Sequence, residues 1–386
     1  MKLGPARIAW LQISHQKLRL LAAVLGVAFA VVLVFVQLGF QQALYDSSVR
    51  WHTALGYDLA LISPKATYLV NPPSFPRSRL YQTLGFDGVD SVTPVYIGIA
   101  DWRNPRDPLQ ARNIYVMGFD PMNSGFALAG DRSVVQQLRM PDRVLFDRLS
   151  RTEFGPIAAM MDAGEEVNTE INGRDVRIVG LYDLGTSFGI DGSIITSDLN
   201  FRRIFPDRPA SRIELGLISL DVGADAAAVR ERIVAGIPGD VRVLTREEFI
   251  QHEVNYWSKS TPIGYVFGLG VAMGLAVGLI VVYQILFSDV QDHLREYATM
   301  KAMGYSNFFL SRLVLAEAVI LAVLGFIPGY FASLLVYTQA REATNLPVLM
   351  TPDRGVMVLG LTVLMCAASA LLAMRKLRSA DPAEVF

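Results

Sequence analysis

Residues 262–287 contain no charged side chain, and a helix of that length is long enough to cross the hydrocarbon core of a bilayer. Three more stretches are nearly as apolar and long enough to span: Leu20–Phe40, where Gln37 is the one strongly polar side chain, Leu313–Tyr337, where Glu317 is the one charged side chain, and Gly355–Met374. Four such stretches exclude an ordinary water-soluble fold and predict spans over 20–40, 261–287, 313–337 and 355–374. The overall apolar content of 52% and mean hydropathy of +0.34 agree with at least part of the chain facing lipid. Ala28-Phe29-Ala30 mimics a signal-peptidase site, but largely apolar residues continue for ten positions beyond it, so the first stretch reads as a retained anchor.

Charge gives the orientation. Residues 1–19 carry Lys2, Arg7, Lys17 and Arg19 and no acid, which with Trp10 reads as an amphipathic helix on the cytoplasmic face. Three basic residues fall in 288–312 and three in the tail 375–386, against two in the loop 338–354. The positive-inside rule therefore places both termini and 288–312 in the cytoplasm, and residues 41–260 outside.

Residues 41–260 have the composition of a folded water-soluble domain and are mildly acidic, with 23 Lys and Arg against 28 Asp and Glu. No nucleic-acid footprint is present. Alternating apolar residues predict strands at Tyr57–Ser63, Ser91–Trp102 and Asn113–Gly118 around a short helix near Arg77–Leu84. Ile213–Val222, Ala224–Ala235 and Val241–Thr245 read as strand, helix and strand. These flanks, 41–133 and 205–260, form an α/β porter-like lobe. The intervening 134–204 is richer in turns, with Asn172-Gly173 between two alternating runs as a hairpin signal, and reads as an inserted mostly-β lobe. Gly185–Gly192 is glycine-rich but lacks the lysine of a phosphate-binding loop, and is expected to be mobile. The single cysteine, Cys366, and four scattered histidines provide no metal or disulfide framework.

Between the second and third spans, Ser288 and Asp289 suit a helix N-cap and Gly304 a C-cap, while Leu294, Tyr297, Met300 and Met303 recur at spacings of three and four. This predicts a short helix with one apolar face that needs a partner. Its sequence, Arg-Glu-Tyr-Ala-Thr-Met-Lys-Ala-Met-Gly-Tyr-Ser over 295–306, resembles the signature between the second and third spans of MacB/FtsX-like ABC transporter permeases. In look the chain is most similar to the DevC-type permeases of cyanobacterial tripartite exporters. The resemblance also covers the plan of one span, a large outer domain, three spans and a basic tail with Asp381-Pro382-Ala383-Glu384.

The resemblance implies an α-helical membrane protein with four transmembrane helices plus a large extracytoplasmic α/β domain carrying an inserted mostly-β lobe, set in a bacterial inner membrane. It implies that Leu294, Arg295, Glu296, Tyr297, Met300, Lys301, Met303 and Gly304 form a coupling helix seated on a cytoplasmic ABC ATPase. No Gly-x4-Gly-Lys-Ser/Thr occurs, so the ATPase is expected in trans; ATP and Mg would be used there, no cofactor would be bound by this chain, and the chain itself would be a transport subunit rather than an enzyme. Further implied partners are a periplasmic membrane-fusion adaptor, a TolC-like outer-membrane channel reached indirectly, membrane lipids and a second copy in a homodimer. The implied task is efflux of a lipid or glycolipid-like substrate; an FtsX-like regulatory transducer or a LolC-like lipoprotein extractor is the alternative.

Within the spans, Gly270, Gly274 and Gly278 stand at four-residue steps and, with Gly325 and Gly329, offer faces for close helix packing, either within the bundle or across a two-fold axis. Glu317 is costly in lipid and is expected to face the bundle or the interface water and accept hydrogen bonds. Pro328 predicts a kink.

Overall fold

The computed structural model describes residues 9–11, 15, 17–121 and 132–378. It divides into two compact units: residues 43–262 with 343–347, and the remainder of the chain. Most of the N-terminal amphipathic stretch and the Asp-Pro-Ala-Glu tail lie outside the described residues.

The first span is the front part of one long helix, α1 (Lys17–Ser48), which continues eight residues past the expected end of the span. The unit of residues 43–262 then begins with α2 (Arg50–Ala54) and β1 (Leu59–Ile62), followed by β2 (Phe75–Pro76), α3 (Arg77–Gln82) and the long hairpin of β3 (Val89–Asn104) and β4 (Asp107–Phe119). Next come α4 (Arg132–Gln137), β5 (Arg143–Asp147), α5 (Ile157–Asp162), β6 (Val167–Ile171), β7 (Arg174–Tyr182), β8 (Ser193–Ser197) and α6 (Asp198–Ile204). The unit closes with β9 (Arg212–Ile213), β10 (Leu215–Leu220), α7 (Ala226–Gly236), β11 (Arg242–Thr245) and α8 (Arg246–Asn255).

Among the described residues, nine of these strands form one sheet in the order β11-β1-β10-β3-β4-β8-β5-β7-β6, and β2 pairs with β9 beside it. The strands of 134–204 extend this sheet: β8 pairs in parallel with β4 and in antiparallel with β5. The insert is thus continuous with the α/β part. Both sheet faces are covered, and β1 and β8 are buried at every position. Leu59, Leu61, Ile114 and Val116 enter one core with Leu80 of α3, Phe201 of α6 and Ile233 of α7. Their neighbours Ala60, Ile62, Tyr115 and Met117 enter the other, with Trp51 of α2 and Phe249 of α8.

Asn172 and Gly173 both take positive φ, 49° and 76°, as a two-residue hairpin turn between β6 and β7 requires. The glycine-rich loop is held at its start. The amides of Leu184 and Gly185 donate to the Asp147 carboxylate at 3.1 and 2.8 Å, and Arg50 Nη1 donates to the Thr186 carbonyl. Asp147 is buried, so these bonds supply the partners that a buried carboxylate needs. Helix α8 starts with a full capping box, Thr245 and Glu248 satisfying each other's exposed amides. It leads through a π turn, Tyr256–Ser260, toward the second span.

The helical unit continues with α9 (Pro262–Asp292), α10 (Leu294–Ala302), α11 (Asn307–Thr344) and α12 (Pro352–Arg378). Among the described residues, α1, α9, α11 and α12 are the helices long and apolar enough to cross a membrane. Two boundaries differ from the sequence reading. Ser288 and Asp289 lie in the last turns of α9 and do not cap α10; the break falls at His293. The loop expected from Thr338 is helical to Thr344, so Arg341 and Glu342 end a helix instead of opening a loop. Pro328 sits inside α11, which continues through it.

Candidate functional site

The α9–α10 break is narrow. The His293 amide bonds the Asp289 carbonyl at 3.1 Å and the Tyr297 amide bonds the His293 carbonyl at 3.0 Å, so the helical ladder bends without being lost. The His293 ring returns to the Asp289 carbonyl through Nδ1 at 2.9 Å. At its other end α10 stops in a Schellman motif: Gly304 has φ of 92°, its amide donates to the Lys301 carbonyl, and the Tyr305 amide reaches back to Met300. Ser306 then caps α11 through Oγ, which accepts from the Phe309 amide. The sequence dictates a short helix with fixed ends.

Its faces divide differently from the simple stripe. Tyr297 is buried, at 3% exposure, and Leu294 and Met300 are half-buried. Arg295, Glu296, Thr299, Lys301, Met303 and Gly304 are exposed. Tyr297 therefore anchors α10 from within, while the outward surface is mixed in character. It includes three exposed apolar side chains, Met303, Tyr305 and Phe308, of which the periodicity picked out Met303 alone, and Arg312 lies 5.8 Å from the Phe308 ring centre. The aromatic residues flanking the Gly304 turn were the signal for the other two, and assigning Phe308 to a loop ahead of the span concealed it.

Beneath α10 lies a polar junction. Arg19 of α1 pairs with Asp292 at 2.6 Å, bonds Ser288 Oγ, and stands 3.9 Å from Asp289. Glu317 of α11 is fully buried, and neither of its oxygens has a hydrogen-bond partner among the described protein groups. Asp289 Oδ2 and the Tyr297 hydroxyl are likewise without one. Burial, with Glu317 and Asp289 adding to it, holds the Tyr297 phenol well above its ordinary range, so it stays protonated as a donor. A cavity of about 20 Å³, room for about one water, opens among Arg19, Ala23, Leu286, Asp289, Glu317 and Leu321.

The glycines bring these same helices together. A Cβ on Gly325 or Gly329 of α11 would meet Val27 or Val31 of α1, and one on Gly274 of α9 would meet Leu33 and Val34 of α1. Gly270 faces Gln37, and Gly278 faces Ala30 and Met365. Helix α1 thus occupies the α9 stripe within one chain, with α12 contributing at Gly278. Ser369 of α12 adds a hydroxyl bond to the Leu279 carbonyl of α9 at 2.9 Å.

A second arrangement, invisible to motif reading, lies in the unit of residues 43–262. Glu253 of α8, 1% exposed, accepts from the Leu69 amide and from Trp257 Nε1, each at 2.9 Å, and its Oε2 lies 3.6 Å from Nε2 of the fully buried His52 of α2. Burial pushes the Glu253 carboxyl up to about 7 and the His52 imidazole down to about 3, the latter aided by His252. The pair is close enough to be an ion pair, but neither His52 nitrogen is hydrogen-bonded. A buried imidazolium needs such bonds, so the neutral pair is the consistent assignment.

Comparison with known proteins matches residues 20–235 to the family described as MacB-like periplasmic core domain and residues 268–382 to that described as FtsX-like permease C-terminal. The chain is similar to an uncharacterized ABC transporter permease protein of Mycobacterium tuberculosis, 22% identical over 330 residues. That alignment covers 83% of this chain but 36% of the relative, so the chain spans about a third of the relative's length. Similar solved structures include the periplasmic region of MacB from Actinobacillus actinomycetemcomitans, with TM-score 0.34 and 11% identity over 52% of this chain and 94% of that one. The extracellular domain of the noncanonic ABC-type transporter YknZ from Gram-positive bacteria gives TM-score 0.30 and 13% identity over 49% and 98%.

Proposed function

The chain belongs to the ABC transporter permeases of the MacB/FtsX type, and from that premise we propose that α10 is the coupling helix through which a separate cytoplasmic ATPase moves the membrane helices. The observation that carries this reading is a short helix fixed at both ends, anchored inward by Tyr297 and presenting Arg295, Glu296, Lys301 and Met303 outward. ATP and Mg act in the partner. Closure of an ATPase dimer displaces α10 in each of two permease copies and, through the Arg19–Asp292 pair and the Tyr297 anchor, shifts α1, α9 and α11 together. Such a shift requires that the two states bind the closed ATPase unequally.

The spans carry few ionisable groups, so a hydrophilic path across them is poorly supported, and a lever fits better than a pore. In this reading the protein sits in the inner membrane with both termini cytoplasmic. Its outer domain works with a membrane-fusion adaptor and a TolC-like channel of the DevC-type plan, and the cargo is lipid or glycolipid-like.

The test is ATPase turnover of the reconstituted complex with its candidate ATPase, comparing the intact chain with Arg295→Glu combined with Met303→Asp. Both residues are exposed, so the bundle stays folded. At least a tenfold loss of turnover or of complex formation is expected; unchanged turnover and assembly would leave α10 a solvated hairpin. Copurification of an adaptor separates efflux from a purely regulatory transducer.

A further inference from the structure

The unit of residues 43–262 holds four arginines around one groove, and none belongs to the coupling machinery. A pocket of about 190 Å³ is lined by Ser74, Tyr96, Phe201, Arg202, Arg208 and Arg212, with the Glu214 carboxylate also on its wall. Past Pro209 and Arg212 it meets a wider, open groove of about 780 Å³ that adds Arg77, Tyr81, Gln82 and Ser211. The groove is built by secondary structure: β2 pairs with β9, and the Arg77 amide bonds the Ser211 carbonyl at 2.7 Å, which fixes where Arg77 and Arg212 emerge.

The guanidinium groups are held in set orientations with donors to spare. Arg208 lies 4.9 Å from the Phe205 ring centre and 5.7 Å from that of Phe201, and its Nη1 is bonded to the Ile97 carbonyl and to Glu214, leaving its other edge uncommitted. Arg202 uses Nε and Nη2 on Asp198. Arg212 uses Nε and Nη2 on Ser74, and Arg77 gives Nη1 to the Tyr96 hydroxyl at 3.4 Å. Asp198 and Glu214 therefore balance two of the four charges. Among the described residues, no carboxylate lies within ion-pair distance of Arg77 or Arg212.

Arg77 and Arg212 have no carboxylate in contact, though Asp198 and Glu214 act on them from farther off, and they stand beside two more guanidiniums with free N–H groups on aromatic supports; together the four suit a dianion whose oxygens can be approached from several sides. A single carboxylate would satisfy one fork. We propose that this groove binds a phosphate group, with the open end past Tyr81 and Pro209 accommodating whatever carries it. The proposal stands apart from the coupling reading, since none of its residues lies in α9–α11.

The experiment titrates the full chain in neutral maltoside micelles, by calorimetry, with inorganic phosphate, lysophosphatidic acid and monoacylglycerol. The variants are Arg77→Gln, Arg212→Gln and the pair together, with Arg103→Gln/Arg106→Gln, at the end of β3 and in the turn after it, as a control. Each groove substitution is expected to weaken phosphate-bearing ligands about tenfold, and the control to leave them unchanged. If lysophosphatidic acid binds at least tenfold tighter than inorganic phosphate, the carrier is a lipid; equal affinities identify free phosphate. Binding of monoacylglycerol as tight as that of lysophosphatidic acid, indifference to the groove substitutions, or no binding to the unaltered chain overturns the proposal. Should a double variant unfold, Arg77→Lys, which keeps the charge and loses the fork, must still weaken binding.

Discussion

Replacing Glu253 by Gln should change the pH dependence of stability in a way that identifies who holds the proton between α2 and α8. In the unfolded chain His52 and Glu253 titrate near 6.5 and 4.5, and in the folded chain near 3 and 7. Below pH 3 both states carry two protons on the pair. From 3 to 4.5 the unfolded chain carries two and the native chain one, so stability rises with pH, by about 2 kcal/mol at 1.36 kcal/mol per unit. From 4.5 to 6.5 each state carries one and the pair contributes no slope. Between 6.5 and 7 the native state alone retains a proton, and stability falls slightly. His252, Tyr115 and Tyr256 are the other titratable groups that bear on the pair, and they are common to both proteins.

Gln keeps an acceptor for Trp257 or Leu69 but holds no proton. His52 alone then remains, with its folded value depressed, so stability must go on rising from pH 3 to 6.5. Relative to the unaltered chain, the variant gains about 3 kcal/mol between pH 4.5 and 6.5. This corresponds to roughly 6–12 °C in Tm for a unit of this size. The assay is thermal unfolding of the full chain followed by tryptophan fluorescence, to which Trp51 and Trp257 report from this region. Parallel curves for the two proteins across pH 4.5–6.5 refute the neutral pair. A steady loss of stability in the unaltered chain well above pH 7 would show instead that His52 is charged and paired.

Two further outcomes concern the helical unit. Gly329→Leu should prevent α11 from closing on α1, since even a Cβ would stand 2.7 Å from Val31 Cγ1 and 3.0 Å from the Ala28 carbonyl, whereas Gly268→Ala, with nothing within 4 Å, should be silent; recovery of monodisperse protein and its Tm distinguish them. Tyr297→Phe should preserve coupling with a partner ATPase, because the hydroxyl has no bond to lose, while Tyr297→Asp should release α10 and uncouple turnover by at least tenfold.

The spans were legible because lipid permits no compromise: every backbone group must be satisfied within the helix and every outward side chain must be apolar, so long uncharged runs leave little choice. The Asn172-Gly173 turn was legible for a similar reason, since few residues tolerate two successive positive φ values. What failed depended on distant partners. Ser288 and Asp289 have the chemistry of caps, but Arg19 of α1 lies beside them and they end α9 instead. Tyr297 fits the apolar stripe of α10, yet the stripe is split between an inner and an outer side by helices far away in sequence. His52 and Glu253 carry no local signal at all; each stands in an unremarkable short helix, and only the tertiary fold brings their side chains within 3.6 Å.

The packing of α1 bears on how the proposed motion would travel. Helix α1 is continuous from Lys17 to Ser48, about 48 Å at 1.5 Å per residue, with Arg19 in its first turn. Gly325 and Gly329 of α11, and Gly270, Gly274 and Gly278 of α9, face it along its middle. A helix gripped by glycine contacts on two sides moves with its neighbours as a body, because close-packed backbones leave no room for side-chain rearrangement to absorb a displacement. The return connection is different in kind. Between α8 and α9 the chain passes through the π turn Tyr256–Ser260, where the Tyr256 ring stacks on Tyr68 with centroids 4.5 Å apart and Glu253 bonds Trp257 one turn away. Such π turns are rare and recur at functional sites. Under the proposed coupling, α1 would move as a stiff rod together with α9 and α11.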